Sequence, residues 1–240
     1  METQMTTNNI KVLVACEESQ AVTKEIRKLG VQAWSCDIQE CSGGHSEWHI
    51  QGDAIKEAYS GKYDMMIAFP PCTFLSLAGS KYLYKKDGSK NLERWKNREL
   101  ALDFVKTLMD APIDYICIEN PVSVISSQIR KPDQIIQPYW FGDAVQKRTC
   151  LWLKNLPHLK STKIVDKGEF VIGKKKRKNG KEYKMSKWLY DCVLKSKNDS
   201  ERRKLRSKTF PGIAQAMAKQ WIPFVLKQQN NYGILFEKYL

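Results

Sequence analysis

Short apolar runs rich in β-branched residues alternate along this chain with amphipathic helical segments, and no other feature constrains the fold as strongly. The strand-like runs span residues 11–15, 32–36, 63–69, 113–118 and 149–153. The helical segments span residues 17–29, 53–59 and 91–109, and a last helix begins near Phe210-Pro211. Strands separated by helices pair in parallel through right-handed crossovers. The sequence therefore predicts an α/β fold with a Rossmann-like sheet.

Polar or nucleophilic side chains follow four of these predicted strands. In chain order they are Cys16-Glu17, Asp37, Cys72 after Pro70-Pro71, and Glu119-Asn120. In open parallel sheets, ligands bind beyond the carboxyl ends of the strands. We therefore expect these side chains to converge on one rim of the sheet.

Positive charge is concentrated late in the chain. Residues 158–208 contain 18 Lys or Arg and 6 Asp or Glu, so this segment carries +12 of the net charge of +14. Such clustering indicates a polyanionic partner, nucleic acid above all, although a solvated loop or an anionic membrane surface has the same composition. The basic run 174–178 precedes Asn179-Gly180, which predicts a hairpin turn. We expect a small basic lobe, residues 158–207, inserted into a larger domain formed by residues 1–157 and 208–240.

The seven cysteines favour a reduced, intracellular protein, because their number is odd and several lie in apolar strand-like runs. We expect a cytoplasmic location and no membrane span, since no run of 18 apolar residues is present and the first residues are polar. Cys36, Cys41, His45 and His49 are potential zinc ligands, but they lack a Cys-x-x-Cys pair, and we predict no metal site.

Cys72 is the side chain whose position most favours a chemical role. Paired prolines form a stiff, extended turn that holds the next residue at the rim. Enzymes that methylate exocyclic amines commonly place a polar acceptor before such prolines, and Phe69 cannot accept a hydrogen bond. A thiolate suits a pyrimidine ring instead, because its addition to carbon 6 makes carbon 5 electron-rich. Glu119, with a raised pKa, would supply a proton to ring nitrogen 3.

The order and spacing of these groups resemble those of DNA cytosine carbon-5 methyltransferases, and more closely a compact methyltransferase-like group common in phage genomes. Pro70-Pro71-Cys72 matches the family's Pro-Pro-Cys nucleophile motif, and Glu119-Asn120 matches its Glu-Asn motif. Residues 146–148, Gln-Lys-Arg, resemble its later Gln-x-Arg-x-Arg motif. The resemblance covers about residues 11–156 and 207–224. It implies a Rossmann-like, S-adenosylmethionine-dependent methyltransferase sheet with a small basic inserted lobe.

The resemblance also implies a role for each matched residue. The catalytic residues would be Cys72, Glu119 and Arg148. The cofactor would be S-adenosylmethionine, bound by residues that follow the strands: Cys16, Glu17, Asp37, Ile38, Asp53, Ala54 and Pro70. The substrate would be a cytosine flipped out of double- or single-stranded DNA, contacted by Pro71, Asn120, Gln146, Lys175 and Arg177.

The chain departs from the family's pattern in its first loop, residues 15–20, which contains no glycine where the family has a Gly-rich loop. Cys150 stands where the family's second arginine would fall. Three functions therefore stay open. The first is methylation of cytosine carbon 5 in DNA through a Cys72 adduct at carbon 6. The second is a related enzyme that acts on free nucleotides or uses another one-carbon donor. The third is a non-catalytic DNA-binding protein with a methyltransferase fold.

Overall fold

A computed structural model describes residues 10–176, 180 and 182–237, with the side chains of residues 78, 174–176, 200 and 231–237 excepted. The strands in these ranges are β1 (Lys11–Ala15), β2 (Gln32–Asp37), β3 (His49–Gln51), β4 (Met65–Ala68), β5 (Tyr115–Pro121), β6 (Gln134–Ile136), β7 (Thr149–Lys154), β8 (Phe170–Lys176) and β9 (Glu182–Ser186). The α-helices are α1 (Ala21–Arg27), α2 (Ala54–Ala58), α3 (Leu92–Met109), α4 (Ile125–Gln128), α5 (Lys187–Lys195), α6 (Asp199–Ser207) and α7 (Pro211–Glu237).

The first seven strands form one sheet in the order β3-β2-β1-β4-β5-β7-β6. All neighbours from β3 to β5 pair in parallel, whereas β7 runs antiparallel to both β5 and β6. The predicted α/β architecture with a mostly parallel sheet is thus confirmed, and it is compatible with a Rossmann-like fold. The strand order of dinucleotide-binding Rossmann folds is 3-2-1-4-5-6. This sheet differs from it by one antiparallel strand, β7, which lies between β5 and β6.

The central strands are apolar because helices cover both faces of the sheet. On one face, α1 and α7 pack together over inward side chains of β1, β4 and β5, and their buried residues include Val22, Ile26, Met217 and Trp221. On the other face, α2 and α3 contribute Ala54, Val105 and Leu108 to a second core. Successive strand residues therefore point into different cores, and this alternation continues to the rim where each strand ends.

Two predicted boundaries were wrong. The first helix begins at Ala21 rather than residue 17, because Cys16 and Gln20 have φ of 59° and 56° and interrupt the helical path. The fourth strand continues to Pro121, so Glu119 and Asn120 lie within β5 rather than after it. They are strand residues because β7 pairs with them, Glu119 opposite Leu151.

The basic segment contains the predicted hairpin, with β8 and β9 antiparallel, followed by α5 and α6. The chain that leads into it stays on the main body, where the Gln220 side chain bonds both the backbone N–H and the carbonyl of Lys160 at 2.8 Å. The indole of Trp221 donates to the Pro157 carbonyl at 2.9 Å. At the other end, Trp188 of α5 packs on Phe210 just before α7, with ring centroids 5.3 Å apart. Within the described ranges, every helix is too short or too polar to traverse a bilayer.

Candidate active site at the rim of the sheet

The carboxyl ends of β1 and β4 lie side by side and form the switch point of the sheet. The Phe69 N–H donates to the Ala15 carbonyl at 3.0 Å, so the two strands remain paired to their last residues. From this point β1 leads to α1 on one face of the sheet, and β4 leads to α3 on the other. A crevice opens where neighbouring crossovers diverge in this way. The residues after β1 and β4 therefore border the same crevice.

The turn that carries Cys72 is fixed to the neighbouring strand. Asn120, which is 1% exposed, donates its side-chain amide to the Pro70 carbonyl at 2.8 Å. The N–H groups of Leu75 and Ser76 close the turn by donating to the Cys72 carbonyl at 3.1 and 2.9 Å. Pro70 is buried and Pro71 exposed. Asn120, expected to contact substrate, thus supports the nucleophile's backbone, and its buried carbonyl oxygen has no hydrogen-bond partner among the described residues.

Two arginines of α3 hold the loop that follows Cys72. Arg94 donates to the Thr73 carbonyl at 3.3 Å, and Arg98 donates to the Phe74 carbonyl at 3.1 Å. Arg98 is only 8% exposed and also donates to the Ser80 hydroxyl at 3.2 Å. No sequence motif marks these two arginines. Their one visible signal is the presence of two cations, four residues apart, in the helix after the nucleophile turn.

Glu119 and Lys147 line one small cleft, and Phe69, at the start of the Cys72 turn, lines it with them. Glu119 points to the face covered by α7, since it lies opposite Leu151 and two residues from Cys117, both in that core. Thr149 lines the same cleft as Lys147. The Lys147 ammonium donates to the Arg206 carbonyl at 3.2 Å, so the end of α6 closes over the cleft.

Charges around the cleft act on both candidate catalytic groups. Burial raises the pKa of the Cys72 thiol, and Glu119 raises it further, while Lys147 and Arg206 lower it. Burial also raises the pKa of Glu119, and Lys147 lowers it. The thiol and the carboxyl group therefore lie close enough for the ionisation of one to depend on the other.

Arg148 points away from this cleft. Gln146 and Arg148 line a second, more open cavity with residues of β9 and α5, because alternate residues of the extended chain face opposite sides. Lys147, to which no motif gave a role, lies beside Glu119 in place of the expected Arg148. Of the two lobe residues expected to contact DNA, Lys175 belongs to β8 with its side chain outside the described set, and Arg177 lies outside the described residues.

Three of the expected cofactor residues, Cys16, Asp37 and Asp53, come together at the carboxyl ends of β1, β2 and β3. Burial raises the pKa of Cys16, and the carboxylates of Asp37 and Asp53 raise it further, so both acids lie near this thiol. Asp53 caps α2 by accepting from Ile55 N at 2.8 Å, and Ala54 behind it is 5% exposed. Ile38 is 79% exposed. An acid at the end of β2 beside an exposed apolar side chain fits the ribose and adenine of an adenosine group.

Glu17 does not face this crevice. It is 2% exposed and accepts hydrogen bonds from Val22 N, Thr23 N and the Thr23 hydroxyl at 2.7, 3.3 and 2.7 Å. Burial raises the pKa of this carboxyl group to about 7. The first amides of α1 therefore bind a carboxyl group of the chain itself. The structure does not bring Glu17 together with Cys16, Asp37 and Asp53 as a ligand-facing group.

Gln20 explains how a loop without glycine has this shape. Its left-handed backbone is stabilised by two hydrogen bonds between its side-chain amide and the backbone of His45. The amide donates to the His45 carbonyl at 2.7 Å and accepts from the His45 N–H at 3.1 Å.

The histidines of the following loop have partners of their own: His45 stacks on Trp48, and His49 contacts the Ser35 hydroxyl at 2.8 Å. Among the described residues no three His, Cys, Asp or Glu side chains are grouped as metal ligands would be.

The fold and rim define an α/β protein with a mostly parallel sheet, at whose rim Glu119 and Lys147 line one cleft and lie close enough to Cys72 to act on its thiol. No protein-family model matches the chain, and no curated protein matches it significantly.

Proposed function

We propose that this protein adds a one-carbon group to carbon 5 of cytosine in DNA, with Cys72 as the covalent nucleophile and S-adenosylmethionine as the methyl donor. The observation that carries the proposal is that Cys72 lies close enough to Glu119 for the charge of the carboxyl group to act on the thiol, beside a cleft that Glu119 and Lys147 line. A thiol next to a carboxyl group with a raised pKa is the pair that addition to a pyrimidine requires. The motif resemblance of residues 70–72 and 119–120 supports the same chemistry.

Each group has a defined task in this scheme. The Cys72 thiolate forms a bond to carbon 6 while Glu119 gives its proton to ring nitrogen 3, so the electron pair of the double bond becomes available at carbon 5. After carbon 5 is substituted, its proton leaves to a base, the double bond re-forms and the thiolate departs. Glu119 then recovers the proton from nitrogen 3.

The pKa shifts suit this order of events. Burial keeps Glu119 protonated to a higher pH than an exposed glutamate, so a proton is available for the ring. A protonated Glu119 no longer repels the thiolate, and Lys147 and Arg206 then favour ionisation of Cys72. A cytosine must leave the base stack to reach this cleft, so the substrate is flipped out or single-stranded.

The adenosine part of the cofactor would be held by Asp37, Ile38 and Asp53. When bound, S-adenosylmethionine supplies an electrophilic methyl group. One observation favours the second hypothesis, in which the enzyme uses a different one-carbon donor. Glu17 binds the amides at the start of α1, so these amides are not free for the amino-acid end of S-adenosylmethionine.

The experiment is nucleoside mass spectrometry on DNA incubated with the protein and S-adenosylmethionine. We expect 5-methylcytosine with the wild type and with Cys41→Ser, a partly exposed cysteine in the loop after β2, and none with Cys72→Ser. Unmodified DNA in every case, with single- and double-stranded substrates, would refute methylation of DNA cytosine from S-adenosylmethionine. Free cytidine nucleotides and other one-carbon donors, supplied in the same assay, would then test the second hypothesis, and no product with any of them would refute an enzymatic role. DNA affinity equal in the wild type and in Cys72→Ser would then favour the binding-protein hypothesis.

A further inference from the structure

The second cavity at the rim is built from two parts of the chain. Gln146 and Arg148, in the extended segment before β7, form one side, and residues of β8, β9 and α5 form the other. Its volume is ≈ 280 Å³, close to the lower end of the range of small-molecule and nucleotide sites. The proposed reaction does not use this cavity.

The lining combines flat aromatic surface with positive charge. Phe170 is 45% exposed and Tyr183 is 43% exposed, so both rings keep surface available to a ligand. Arg148 and Lys184 are the charged residues among the described side chains that line the cavity, and no carboxylate is among them. Aromatic faces beside cations bind nucleic-acid bases and their phosphates.

We propose that this cavity binds a guanine of the substrate DNA next to the target cytosine, with Arg148 as the residue that reads it. The proposal rests on the proposed function, since it assigns part of the same substrate. The two donor groups of a guanidinium match O6 and N7 of guanine, the commonest specific contact between protein and base. Gln146 lies beside Arg148 and supplies an amide for a further polar contact.

The position of the cavity favours a neighbouring nucleotide. Lys147 and Arg148 are consecutive residues, and their side chains enter the two cavities from opposite sides of one extended segment. Successive residues of extended chain are about 3.3 Å apart, so the two cavities border the same short segment, and a nucleotide beside the flipped cytosine is the part of the strand that we expect in the second cavity. Lys184 contributes charge at this cavity and suits a backbone phosphate.

The test is selection of bound DNA from a pool of short duplexes with a central cytosine and randomised flanks, followed by sequencing. We expect the wild type to enrich guanine at one fixed position near the cytosine. Arg148→Lys keeps the charge but loses the planar fork, so enrichment should fall by roughly 5- to 100-fold with overall affinity nearly kept. Lys184→Ala is the matched control, and it should weaken binding to all sequences alike while the guanine preference remains.

The outcomes test the guanine assignment and the proposed reaction separately. No enriched base in the wild-type pool, or a preference unchanged in Arg148→Lys, overturns the assignment of Arg148. A guanine preference that depends on Arg148, together with DNA that carries no modified cytosine, supports this cavity and refutes the proposed reaction. Absence of any DNA binding overturns both.

Discussion

Replacement of Glu17 by glutamine gives the sharpest test of the packing behind the rim. The folded protein holds the pKa of this carboxyl group at about 7, against an ordinary value of 4.5, because the group is buried. The unfolded chain therefore releases this proton near pH 4.5, whereas the folded chain keeps it up to about pH 7. The stability contributed by Glu17 is complete below pH 4.5 and is lost as pH rises through 7.

The magnitude follows from the two values. A pKa of 7 against 4.5 corresponds to about 3 kcal/mol of unfolding free energy, of which about 2 to 3 kcal/mol is lost between pH 5 and pH 8. Glutamine does not ionise, so the unfolding free energy of Glu17→Gln should fall by about 2 to 3 kcal/mol less than that of the wild type between pH 5 and pH 8. Urea unfolding followed by circular dichroism at pH 5, 6, 7 and 8 measures the difference.

Thr23→Val is the matched variant. In the wild type the Thr23 hydroxyl donates to the Glu17 carboxylate at 2.7 Å. Loss of this hydrogen bond should raise the pKa of Glu17 further and extend the fall in stability to higher pH. If the wild type and Glu17→Gln give parallel curves of stability against pH, Glu17 ionises alike in the folded and unfolded chains. The account of a buried carboxyl group that caps α1 would then be wrong.

Three further outcomes follow from contacts at the rim. Lys147→Met should raise the pKa of Cys72 and slow its alkylation by iodoacetamide at neutral pH; an unchanged rate would mean that the ammonium does not act on the thiol. Asn120→Ala should cost about 1 to 3 kcal/mol in urea unfolding, since it leaves a buried carbonyl without its donor, and a smaller loss would indicate that the turn is held by other contacts. Gly212→Ala should cost about 3 kcal/mol in the same assay, because its Cβ would lie 1.9 Å from a backbone carbonyl oxygen, whereas Gly52→Ala, with its nearest atom 3.9 Å away, should be nearly neutral; equal effects would contradict this packing.

The sequence predicted the central strands and the hairpin well, because hydrophobic periodicity and turn residues are local signals. It misplaced the start of α1 because the left-handed backbone at Gln20 depends on bonds to His45, a residue 25 positions away. No local pattern contains that information. The end of β5 was misplaced for a similar reason, since polar Glu119 and Asn120 became strand residues only through their pairing with β7.

Comparison of motifs could not predict which of two consecutive side chains, Lys147 or Arg148, faces Glu119. Arg148 matched a family motif by type and spacing, yet Lys147 lies with Glu119. The register of β5 on β7 decides this, because it places Glu119 and Thr149 on one face of the sheet. A shift of one residue in that register would exchange the two side chains. Sequence order alone therefore identified the segment that borders the cleft, and pairing selected the residue.

Both ends of the basic lobe are anchored beside α7: the entering chain through Gln220 and Trp221, and the leaving chain through Phe210 and its contact with Trp188. A segment whose entry and exit are fixed in this way can be replaced as a unit, because its exchange leaves the two junctions where they are. The strand pair β8 and β9 can therefore be exchanged without a change in the cleft, because α6, whose end contacts Lys147, lies outside this pair. If the proposed function holds, a strand pair of different sequence would change the choice of DNA site and leave the groups that carry out the reaction as they are.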